Sequence, residues 1–125
     1  MTKINKKILI VEDDPNFVAI LKQKFTEDGF SVLTVQDGKE AVILADKEKP
    51  DLIISDILLP SLNGIEMAKK IKSKNIELPI IFLTNVKDPA YLDAMKEFKK
   101  VECLIKSDVR LDDIVERAKK KLSIE

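Results

Sequence analysis

Five short aliphatic runs, each followed by a longer amphipathic stretch, constrain this chain more than any other feature. The runs are KILIV at 7–11, SVLTV at 31–35, DLIIS at 51–55, PIIFLT at 79–84 and VECLI at 101–105. Short β-branched runs read as strands, and the middle ones are apolar throughout rather than alternating, which demands cover on both faces. The stretches between them repeat apolar residues at helical spacing. Asp14 caps the first helix, Pro15 opens it, and Phe17, Ile20, Leu21 and Phe25 recur on one face until Gly29. The second helix is expected over 38–48 with Ala41, Leu44 and Ala45 inward, and the third from Gly64 with Ile65, Ala68 and Ile71 inward. The fourth has Asp88 as cap, then Pro89, with Leu92, Met95 and Phe98 inward; the fifth covers about 111–122 with Leu111, Ile114, Val115, Ala118 and Leu122 inward.

Strands alternating with helices imply a parallel sheet covered on both sides. With right-handed crossovers the expected class is α/β, a flavodoxin-like doubly wound (βα)5 sandwich with strand order 2-1-3-4-5. At 125 residues, with no linker or repeat, the chain reads as one domain over 1–125. It ends shortly after the fifth helix, so no separate output domain is expected.

The 22 basic and 22 acidic residues cancel, which removes any bulk attraction to nucleic acid and makes recognition a local matter. The chain has no histidine, excluding histidine catalysis and histidine metal ligation. One cysteine, Cys103, rules out an internal disulfide and fits a reducing, cytoplasmic setting. No apolar run approaches a membrane span, and the one behind the N-terminal lysines is too short for a signal peptide.

Ligands of open parallel sheets bind beyond the carboxyl ends of the strands. Those ends carry Glu12 and Asp13, Asp56, Thr84 and Lys106, and the expected strand order sets them side by side. Singly, each has a plainer reading. Asp13 and Asp14 before Pro15 suit helix capping, Asp56 suits a turn, and Thr84 and Lys106 are ordinary at a strand end and a surface. Together they place three carboxylates, a hydroxyl and an ammonium in one mouth. Crowded carboxylates call for a hard divalent ion such as Mg2+, with water completing its shell.

The segments ILIVEDDP, PDLIISDILLPSLNG, PIIFLTN and CLIKSD resemble the signature segments of the response-regulator receiver domain, over essentially the whole chain. The resemblance implies that Asp13 ligates Mg2+ directly, that Glu12 acts through water, and that Leu58 offers its backbone carbonyl. It implies that Asp56 is the phosphoacceptor and a metal ligand, that Thr84 contacts the phosphoryl group, and that Lys106 pairs with it. The chemistry is consistent: a carboxylate oxygen forms an aspartyl phosphate once incoming charge is neutralised. Such a domain is a signalling module rather than an enzyme, although it promotes its own phosphorylation and dephosphorylation. The resemblance further implies a sensor histidine kinase or histidine phosphotransfer protein as phosphoryl donor, and with no histidine in this chain the phosphohistidine has to come from another protein. Output passes to a further protein by a monomer or a phosphorylation-linked homodimer.

The pattern departs from the family at three places. Cys103 stands where an aromatic residue usually follows the strand-four hydroxyl, and a thiol sweeps less volume; it reads as a small packed hydrophobe. Asn85 follows Thr84 in place of a small residue and is expected to alter the reset rate. Ser107 replaces the usual proline after Lys106, which could loosen the loop entering the last helix. Helix four and strand five form the expected output surface, with Tyr91 as a candidate contact. The alternative is a phosphorylation-independent interaction module on the same fold. A flavin-type cofactor binder is disfavoured, because the acidic EDDPN loop repels phosphate.

Overall fold

The computed structural model describes residues 3–124. Its strands are β1 (Lys7–Val11), β2 (Ser31–Val35), β3 (Leu52–Ser55), β4 (Ile80–Thr84) and β5 (Val101–Ile105). Its helices are α1 (Pro15–Glu27), α2 (Gly38–Glu48), α3 (Gly64–Lys74), α4 (Pro89–Met95) and α5 (Leu111–Lys121). A 3-10 turn over Lys106–Asp108 joins β5 to α5. All strand pairs are parallel and run in the order β2-β1-β3-β4-β5. The flavodoxin-like expectation holds.

Local chemistry explains the boundaries. The side chains of Asp14 and Asp88 each accept the backbone N–H two residues on, at 3.0 and 2.9 Å, ahead of Pro15 and Pro89. Asp37 and Asn63 accept the N–H groups of Glu40 and Glu66 at 2.8 and 2.9 Å, starting α2 and α3. Asp51 and Pro79, expected to begin strands, lie just outside them.

The alternation of side chains along each strand divides the core into two. Leu9, Val11, Ile53, Ile80 and Phe82 face α2 and α3, with Ala41, Met67, Ala68 and Ile71 above them. Ile8, Ile10, Leu52, Ile54, Ile81 and Leu83 face α1 and α5, against Leu21, Phe25, Ile114, Val115 and Ala118. Two inward expectations and one helix end need correction. Ile20 is 47% exposed and Leu92 is 37% exposed. Helix α4 stops at Met95, so Phe98 packs from the turn that follows. For Ile20 and Leu92 a helical stripe wider than the sheet's cover leaves its edge residues in solvent.

Candidate functional site

The parallel ladders run one residue past β1 and β3 and thereby fix two acids. The N–H of Glu12 donates to Val35 O, and that of Asp56 donates to Val11 O, both at 3.1 Å. Side-chain parity then decides what meets. Glu12 continues the Ile8–Ile10 row, Asp56 the Leu52–Ile54 row, and Lys106 the row of Leu104, all on the α1/α5 side. Asp13 and Thr84 have the opposite parity.

Lys106 Nζ donates to Glu12 Oε1 and, at 2.8 Å, to Asp56 Oδ2. The three side chains are 19, 3 and 14% exposed. Glu12 Oε2 accepts the N–H of Asp13 at 2.9 Å, and Asp56 Oδ1 accepts the N–H of Ile57 at 2.6 Å. Burial pushes Glu12 above the usual carboxylate range, and the nearby Lys106 only partly offsets it. On Lys106 burial acts downward, but hydrogen bonds to Asp56 and Glu12 outweigh it and hold the ammonium above the ordinary lysine value.

Thr84 is buried at the end of β4, where its Oγ1 accepts the N–H of Val86 at 3.1 Å. The Asp13 side chain is exposed, and Leu58 lies in the β3–α3 loop with its side chain 56% exposed. The mouth therefore joins Glu12, Asp56 and Lys106 in direct contact, while Asp13 stands beside them in solvent. Cys103 is half-buried and packs with Tyr91 and Phe98 against the α2/α3-side core. Burial, then the charge of Asp56, pushes its thiol up, so it is a packed hydrophobe rather than a thiolate.

Three supporting features escaped the sequence reading. Gly64 lies directly behind Asp56: a Cβ there would sit 2.6 Å from Asp56 O and 2.8 Å from the Phe82 ring. Asn85 and Ser107, separate departures in the sequence, meet in a hydrogen bond from the Ser107 N–H to Asn85 Oδ1 of 3.1 Å. Phe17, counted only as core, lies 4.7 Å from the Lys106 ammonium, measured to the ring centroid.

The donor set suits a hard cation. Two carboxylates against one ammonium leave the mouth net negative, exposed Asp13 adds to it, and every ligand atom on offer is oxygen. Among the described residues no three acidic or cysteine side chains group closely enough to hold an ion alone. An ion here would complete its shell with water, which is the habit of Mg2+.

A doubly wound sheet with acids and a lysine at its carboxyl edge defines the receiver class of signalling domain. The response regulator receiver domain model matches residues 8–119, and the chain belongs to that family of two-component signalling domains. It is 43% identical over 81 residues to the alkaline phosphatase synthesis transcriptional regulatory protein PhoP of Bacillus subtilis, covering 65% of this chain and 34% of that protein. The chain thus spans about a third of the transcriptional regulators of this kind that it matches. It is 29% identical over 123 residues to sporulation initiation phosphotransferase F of the same organism, covering 97% of both. Among solved structures it resembles the receiver domain of a signal transduction histidine kinase from Syntrophus aciditrophicus, with a TM-score of 0.85 and 32% identity over 94% of this chain and 90% of that one. The receiver domain of Francisella response regulator 1452 is similar at a TM-score of 0.84 and 29% identity, over 94 and 96% of the two chains.

Proposed function

We propose that Asp56 accepts a phosphoryl group from the phosphohistidine of a sensor histidine kinase or histidine phosphotransfer protein, and that the modified mouth changes which protein the domain binds. The carrying observation is the ammonium of Lys106, 2.8 Å from a carboxylate that is mostly buried yet open at the sheet's edge. A carboxylate oxygen of Asp56 attacks phosphorus in line with the donor N–P bond. The O–P bond forms as the N–P bond breaks, and the electron pair returns to the imidazole nitrogen. Lys106 keeps one donor on Glu12 and turns another from Asp56 to a phosphoryl oxygen. Thr84, whose Oγ1 accepts the Val86 N–H, donates a hydrogen bond from its hydroxyl to a second phosphoryl oxygen. Asp13, Asp56, the Leu58 carbonyl and, through water, Glu12 would hold Mg2+. That ion supplies charge neutralisation to the phosphoryl oxygens when bound. Water attacking phosphorus along the same line returns Asp56 to its carboxylate. The reading includes a cytoplasmic setting, supported by a cysteine that is free among the described residues.

The second reading, a phosphorylation-independent interaction module, draws on Cys103, whose small packed side chain replaces the aromatic expected to relay the switch. Incubation with acetyl phosphate and Mg2+, followed by intact-mass measurement, separates the two. The proposed function requires a gain of one phosphoryl group that Asp56→Asn or chelation of the metal abolishes. No gain in the native protein overturns it in favour of the inert module.

A further inference from the structure

The Lys106 ammonium has three N–H donors, and carboxylates take two of its directions. The third partner is the face of Phe17, at a distance well inside the range of a cation–π attraction. Phe17 sits in the first turn of α1, two residues after Pro15, where the proline and the Asp14 cap fix the backbone. Its body packs against the α1/α5-side core, so the ring has little freedom. A ring face attracts an ammonium without offering a lone pair along a fixed line. It therefore does not compete with oxygen acceptors for the donors' directions.

We propose that Phe17 is a positioning residue, keeping the Lys106 ammonium in the mouth while one of its donors passes from Asp56 to the incoming phosphoryl group. The proposal rests on the reading of Asp56 as phosphoacceptor. A leucine at 17 would supply similar apolar cover without the ring's electrostatic face, whereas a tyrosine would keep that face. Ring-current shifts report the contact independently of phosphorylation, since the Lys106 ammonium, to which the ε-methylene is bonded, lies over the ring face.

The test compares the native protein with Phe17→Leu and Phe17→Tyr, by proton NMR of Lys106 and by the rate of mass gain from acetyl phosphate and Mg2+. Upfield-shifted Lys106 methylene protons are expected in the native protein and Phe17→Tyr, and not in Phe17→Leu. Phosphorylation is expected to slow about three- to tenfold in Phe17→Leu and to recover in Phe17→Tyr, the scale of losing a partly buried cation–π contact. A native rate in Phe17→Leu overturns the positioning role and leaves the Asp56 reading standing. Absence of any mass gain in the native protein sinks the Asp56 reading and the role with it. If Phe17→Leu does not fold, Phe17→Met takes its place, with the same outcomes deciding.

Discussion

The side-chain oxygen of Asn85 accepts the backbone N–H of Ser107 at 3.1 Å, tying the loop after β4 to the turn that carries Lys106. A proline at 107 has no N–H to give, so this bond exists only because both residues depart from the family pattern together. Far from loosening the entry to α5, Ser107 lets it be pinned.

The pin gives a clean set of variants. Asn85→Ala and Ser107→Pro should each lose about 1 kcal/mol, the net worth of one hydrogen bond, and lower Tm by about 3–5 °C. Ser107→Ala should leave Tm unchanged, because the backbone does the donating. Combining Asn85→Ala with Ser107→Pro should cost little more than either alone, which thermal unfolding of the four proteins would check.

Among the described residues, Lys106 is the only cation paired with the two poorly hydrated acids of the mouth. Removing it in Lys106→Met strands both charges and should destabilise by about 2–3 kcal/mol, below the range for fully buried pairs because the mouth is partly open. Adding Glu12→Gln should recover part of that loss by removing the deeper of the two charges. Urea unfolding measures both, and equal stability of the single and double variants would contradict the account.

Gly64→Ala sets two effects against each other. In a helix the exchange ordinarily favours alanine by about 1 kcal/mol. Here the added methyl runs into Asp56 O and the Phe82 ring, so the net effect should be a loss of about 1–3 kcal/mol. The displaced Asp56 backbone should also slow phosphorylation. A stabilised, fully competent variant would show that the helix start yields easily.

Lys72 provides the pH dependence. It is buried, donating to Ile76 O at 3.0 Å and to Lys99 O, with no carboxylate hydrogen-bonded to it among the described residues. Burial pulls its pKa below the ordinary lysine value of 10.5. The unfolded chain therefore binds more protons between the lowered value and 10.5, and stability rises with pH across that window. The cost of burying the ammonium is full below the window and relieved above it, where the neutral amine still has two N–H donors. Relative to Lys72→Met, the native protein should gain stability as pH climbs toward 10.5, measured by chemical unfolding at a series of alkaline pH values. A flat difference would remove Lys72 as the source.

Local signals fixed much of this molecule in advance. Aliphatic runs gave the strands, and Asp14–Pro15 and Asp88–Pro89 gave helix starts, because capping and backbone restriction involve only neighbouring residues. The rule that parallel sheets bind at their carboxyl ends sufficed to gather Glu12, Asp56, Thr84 and Lys106. Tertiary structure decided which of them touch. Lys106 chooses Glu12 from 94 residues away, and parity along extended backbone turns Glu12 inward while leaving Asp13 in solvent. The Asn85–Ser107 bond, the ring of Phe17 beside an ammonium and the burial of Lys72 are likewise unreadable from spacing, since each depends on how separate elements dock. Periodicity encodes what a segment becomes; distances between side chains on different segments exist only once the sheet has closed them together.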